Sequence, residues 1–118
     1  MREKLNLLLE KHCVTIKQNV ELVGEYLKRA GAADAATPGQ ALKDAAALTH
    51  QLKGSGGTAG FHDISGAATA LNDHLNAITR GEVPFRQGVD KAMALFEPLG
   101  RAAREATPQS SALYLAMS

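Results

Sequence analysis

Four stretches of this chain repeat their apolar residues at helical spacing, and none alternates apolar with polar as a half-buried strand would. In the first, Leu5, Leu9, Ile16, Val20, Val23 and Leu27 share one face at about 100° per residue. Gly31 stops that pattern, and the segment Gly31 to Gln40 reads as a loop with a turn at Thr37-Pro38-Gly39. A second helix is expected to start between Pro38 and Ala41 and to run to about Gly60. Its apolar stripe is Ala41, Ala45, Leu48, Leu52, Ser55 and Ala59. After a turn at Phe61-His62-Asp63, with Asp63 as the expected cap, a third helix carries Ile64, Ala68, Leu71, Leu75 and Ile78 and ends at Gly81. Pro84 opens a fourth, whose inward face is Phe85, Val89, Ala92, Phe96, Leu99 and Ala103. Pro98 lies within that last pattern, where it is expected to kink or split the helix.

Four amphipathic helices with short connections imply an all-α fold, an antiparallel four-helix bundle running up-down-up-down. At 118 residues the chain is expected to be one domain, 1–118, with its core in about 1–106 and a tail over 107–118 whose order the sequence leaves open. Aromatic residues make up only 4% and Trp is absent, so the core has to be aliphatic. A lone Cys13 excludes an internal disulfide and suits a reducing compartment, with the thiol acting as a small buried hydrophobe. A formal charge of +1 with interspersed signs argues against nucleic acid or an anionic membrane as partner. No window is long and apolar enough for a signal peptide or a membrane span. The expectation is a soluble, cytoplasmic monomer, and the Met1 start favours a separate protein over a piece of a larger kinase.

The second helix carries most of the chemical information. His50 points about 160° away from Leu52 and should face solvent. Lys53 and Gly54 stand one turn on from it, and Gly57 a further turn on. Each of Gly54, Gly56 and Gly57 gives up about 1 kcal/mol of helix propensity relative to Ala. Either the helix ends at Gly54 in a flexible loop, or another surface must come close to the helix at His50, where a Cβ would block it. The stripe continuing through Ser55 to Ala59 favours the second explanation. A bare imidazole beside a cation on a cleared face suits attack on phosphorus, with Lys53 balancing the negative oxygens.

The run Leu48-Thr49-His50-Gln51-Leu52-Lys53-Gly54-Ser55-Gly56-Gly57-Thr58-Ala59-Gly60 closely resembles the phosphotransfer signature His-x-Leu-Lys-Gly-small-small-Gly-x-x-Gly of histidine-containing phosphotransfer (HPt) domains. His50, Leu52, Lys53, Gly54, Gly57 and Gly60 match it, and Ile64-x-x-Ala67-Ala68-x-x-Leu71 looks like the family's next helix. The resemblance implies a phosphorelay intermediate, in which His50 accepts phosphate from a receiver-domain aspartate and passes it to another receiver. It implies docking around His50, over Gln51, Gly54 and Gly57, by response regulator receivers or a hybrid histidine kinase. No cofactor of its own is implied, the magnesium coming with the receiver. Asn72-Asp73-His74-Leu75 departs from the Leu-Glu often found late in the family's third helix, which touches only rim contacts. Kinase dimerisation domains resemble His-Glu-apolar-(Arg/Lys)-x-Pro at their histidine. Here Gln51 follows His50 and that Pro is missing, so autokinase activity is not expected. Whether a phosphoryl carrier of this kind counts as an enzyme is left open.

The rival reading is a non-catalytic helical adaptor that docks a partner through its glycine-rich second helix, with His50 incidental. The run from Gly54 to Gly60 is no nucleotide loop, lacking a preceding strand and a Gly-Lys-Ser/Thr ending. Among the other histidines, His12 reads as a core-edge residue and His62 and His74 as surface residues. Without Glu-x-x-His pairs, a metal site in the bundle is not expected.

Overall fold

The computed structural model describes residues 2–32 and 38–116. They form α1 (Arg2–Gly31), α2 (Pro38–Thr58), α3 (His62–Thr79) and α4 (Phe85–Glu105), then a 3-10 turn (Pro108–Ser110) and a short α5 (Ala112–Ala116). No strand occurs among the described residues. Contacts run around a ring, α1 against α2 and α4, and α3 against α2 and α4. With the tight connections at residues 59–61 and 80–84, neighbours must run antiparallel. The all-α up-down-up-down bundle expected from periodicity is the observed fold. Half of the anticipated loop, residues 33–37, lies outside the described residues, and Pro38 to Gln40 already belong to α2.

The core is aliphatic and lies where the stripes predict it. Leu9, Ile16, Val23 and Leu27 of α1, Leu52 of α2, and Ile64, Leu71 and Leu75 of α3 are all sealed from solvent. Cys13 joins them as a small buried hydrophobe, and burial pushes its thiol pKa up. Three details differ from the periodicity reading. On α2 the buried face is turned toward α3: Leu42, Thr49 and Gly56 are buried, whereas Leu48 and Ser55 are only half-buried. On α4, Phe85 is 41% exposed, because Gly88 admits the Ile78 side chain to the interface instead; a Cβ there would stand 2.6 Å from Ile78 Cγ1. Pro98 does not split α4, which runs unbroken to Glu105. Both Pro98 and Ala94, whose carbonyl loses its helical partner, are exposed, so water can serve that carbonyl.

The turn between α2 and α3 is built on Gly60. Its φ of +83° lets the chain reverse in a Schellman arrangement, with Phe61 N–H donating to Gly56 O at 2.7 Å and Gly60 N–H to Gly57 O at 3.1 Å. Phe61 is thereby buried and α3 starts at once, without the expected Asp63 cap. Asp63 stands instead inside the first turn, where its charge suits the helix dipole. Gly81, at φ +78°, ends α3 in the same way.

The tail docks on this turn. Ser111 is fully buried and its hydroxyl donates to Ala59 O at 2.5 Å, while Ala112 N–H donates to Gly60 O at 2.9 Å. Gln109 Nε2 donates to Asn6 Oδ1 at 3.1 Å and ties the same segment to α1. A Cβ on Gly60 would stand 2.6 Å from Ser111 Oγ and 2.9 Å from the Leu113 nitrogen. Gly60→Ala should therefore destabilise the fold by at least the roughly 1–2 kcal/mol that a left-handed φ costs an L-residue, read as a lower urea midpoint. An unchanged midpoint would contradict this account of the turn.

Candidate functional site

The outer face of α2 is set by its inner one. Leu42, Ala45, Thr49, Leu52, Gly56 and Ala59 are drawn inward, and their spacing leaves His50, Gln51, Lys53 and Gly54 exposed. His50 is exposed, and among the described residues none hydrogen-bonds its ring. Lys53 follows His50 by three residues, which places both on adjoining parts of the surface. Lys43, also exposed, lies two turns before His50 and nearly in line with it, a second cation that the sequence reading passed over.

The glycines of this helix divide into two kinds. Around Gly54 nothing lies within 4 Å of where a Cβ would stand, so the fold itself has no use for its smallness. Gly56 differs: its missing Cβ would stand 3.1 Å from Ile64 Cγ2 and 3.2 Å from the Ser65 nitrogen, so it admits the start of α3. Gly57 is half-buried, with Ser65 Oγ at 3.4 Å from its would-be Cβ. The helix also does not end at Gly54, since α2 continues to Thr58. Bare surface beside His50 is thus the work of Gly54, with a minor share from Gly57, and Gly56 belongs to helix packing.

Behind the exposed face α2 is tied to α3 by polar bonds. Ser65 Oγ donates to Lys53 O at 2.9 Å. Thr49, 0% exposed, donates its hydroxyl to Ala46 O at 3.0 Å, and Asn72 Nδ2 reaches both Ala46 O at 2.8 Å and Thr49 Oγ1 at 3.0 Å. Asn72 is itself only 7% exposed, so the departure at Asn72-Asp73-His74 is not confined to the rim. The signal that could have found this link is a polar residue on a core stripe: Asn72 follows Ala68 by four residues and precedes Leu75 by three.

His74 also departs from the surface role expected of it. It is half-buried, and its Nε2 lies 2.7 Å from Gly88 O. A carbonyl can only accept, so Nε2 carries the proton and His74 fastens α3 to α4. His62 is exposed and His12 half-buried at the core edge, as anticipated. Among the described residues no three His, Cys, Asp or Glu side chains gather so as to hold a metal ion, and no helix is long and apolar enough to cross a membrane.

Among the described residues the arrangement brings together an exposed imidazole, a nearby cation and open space at Gly54. No curated protein and no solved structure matched the chain. A family model described as "Hpt domain" matches residues 9–106, which takes in α2, α3 and α4 whole and α1 from Leu9 onward, and ends before the tail. The family model and the helical bundle agree, and both point to phosphotransfer in two-component signalling: the chain is a member of the Hpt domain family.

Proposed function

We propose that His50 is the phosphoacceptor of a phosphorelay intermediate, taking its phosphoryl group from a receiver-domain aspartyl phosphate and handing it to another response regulator receiver. The observation that carries this reading is a solvent-facing imidazole on α2 with unfilled space beside it at Gly54. In the forward step a lone pair of a ring nitrogen forms the P–N bond as the P–O bond to the receiver aspartate breaks, and the carboxylate leaves with that electron pair. The reverse balance holds when the next receiver's aspartate attacks phosphohistidine. Positioning and charge dominate such a transfer, because little covalent work is left for a protein to do. Magnesium and the groups that steady the aspartyl phosphate belong to the receiver, whose docking surface on this chain is Gln51, Gly54 and Gly57 around His50.

Incubation with a phosphorylated receiver tests the reading: the chain should acquire label as the receiver loses it. A receiver that keeps its label, or loses it only to water, would favour the helical adaptor instead. Within this scheme Lys53 balances charge on the incoming phosphoryl oxygens and makes no bond to phosphorus. A charge-assisted contact of about 1.5–3 kcal/mol corresponds to roughly a ten- to hundredfold change in rate if it is fully expressed in the transition state. Lys53→Ala should slow single-turnover transfer by that factor without abolishing it. An unchanged rate at low and moderate salt would remove Lys53 from the mechanism.

A further inference from the structure

The Ala46 carbonyl lies under the reactive face and is held from two sides. In an α-helix it is the assigned acceptor for the backbone N–H of His50. Here it also receives the Thr49 hydroxyl at 3.0 Å and the Asn72 amide at 2.8 Å, across 26 residues of sequence. Asn72 is braced in turn, its Nδ2 donating to Thr49 Oγ1 at 3.0 Å and its Oδ1 accepting from Asn76 Nδ2 at 3.2 Å. Further along, α2 meets α3 where Gly56 faces Ile64, its would-be Cβ 3.1 Å from Ile64 Cγ2, and the alanines Ala45 of α2 and Ala68 of α3 are both fully buried. Such a contact is compact but has little to resist rotation of one helix against the other. Directional bonds between buried polar groups are what fix register in interfaces of this kind.

We propose that Asn72 and Thr49 are positioning residues that set the rotation of the His50 turn, so that the imidazole meets the phosphorus of a docked receiver in line. Neither touches the phosphoryl group; both act through the backbone of His50. The inference rests on the reading of His50 as phosphoacceptor. It predicts that loss of the pair lowers the turnover of the docked complex, while docking and the intrinsic reactivity of His50 are kept. A misplacement of about 1 Å can slow an aligned transfer by as much as a hundredfold.

Thr49→Val and Asn72→Leu remove the bonds at nearly constant shape, and replacing both partners of a buried bond with apolar groups leaves stability nearly unchanged. The double variant should melt close to wild type and transfer from a phosphorylated receiver on the order of tenfold more slowly in kcat, with KM for the receiver within about twofold. Labelling of His50 by phosphoramidate, a small donor that needs no docking, should stay within about twofold of wild type. Thr49→Ser, which keeps the hydroxyl, should transfer like wild type. Each single variant should lose nearly as much as the double, because the two residues act as one unit. If the double variant does not fold, Thr49→Val alone reads the same split between kcat and KM. A folded variant that transfers at the wild-type rate, or that loses phosphoramidate labelling in equal measure, overturns the positioning role. Failure of the parent reading looks different: wild type itself would then take no label from the receiver.

Discussion

His50→Gln is expected to abolish phosphoryl acceptance completely while the protein keeps its helicity and melts within a degree or two of wild type. The side chain is exposed and, among the described residues, makes no hydrogen bond, so the fold has nothing to lose by the exchange. Substitutions at such positions change stability by less than about 0.5 kcal/mol. Gln keeps a polar, helix-compatible side chain but offers no nitrogen lone pair able to attack phosphorus, since its amide nitrogen is delocalised. Circular dichroism melts and labelling from a phosphorylated receiver, run on the same preparations, check both halves. A variant that still takes up label, or one that unfolds, would contradict the assignment. The adaptor reading predicts the reverse pattern, with partner binding kept and no labelling in either protein.

Gly54 should show stability and function moving in opposite directions. Nothing lies within 4 Å of its would-be Cβ, so Gly54→Ala meets no clash. The change should stabilise the fold by about 0.4–1 kcal/mol, chiefly by restricting the unfolded chain. Gln also surpasses Gly in helix propensity, by more than about 0.5 kcal/mol, and from this position it projects into water. Both side chains nevertheless stand one turn from His50, where a receiver must approach to bonding distance. Transfer should therefore decline from Gly to Ala to Gln, while melting temperature holds or rises. Equal transfer rates in all three proteins, or melting well below wild type in both variants, would mean that this glycine does not serve a partner's approach.

The contrast with the neighbouring glycines explains how far the site was legible beforehand. In sequence, Gly54, Gly56 and Gly57 are equivalent costs to a helix, and all three were credited to the partner. The structure separates them by what lies opposite: solvent at Gly54, Ile64 and the Ser65 backbone at Gly56, and the Ser65 hydroxyl at Gly57. A helical wheel reports directions around one axis and contains no information on the helix that will be met in a given direction. For the same reason the orientation of His50 was readable, since it requires only that the leucine and alanine stripe point inward. The Thr49–Asn72 link was only half readable: the place of Asn72 on the α3 stripe marks a buried polar residue, but which residue of α2 it meets depends on how the two helices pack.

The tail illustrates a second limit. Its residues have turn chemistry at Thr107-Pro108 and apolar character beyond, which fits docking and fraying equally well. Docking is decided by the space that the missing Cβ of Gly60 leaves, with the buried Ser111 Oγ only 2.6 Å from where that Cβ would stand. Only the assembled turn creates that space. Gly60 consequently serves two ends here, the reversal of the chain and the seat of the tail.

The central claim is that the phosphoryl group is carried on His50, and the most direct measurement is to locate it. Wild-type protein labelled from a phosphorylated receiver is digested under neutral to alkaline conditions, and the labelled peptide is sequenced by mass spectrometry. The account predicts a single acid-labile phosphoryl group on His50, in the peptide that spans Leu48 to Lys53, and none on His12, His62 or His74. Label on any of those three histidines, or an acid-stable phosphate on a hydroxyl group such as that of Thr58, would contradict it.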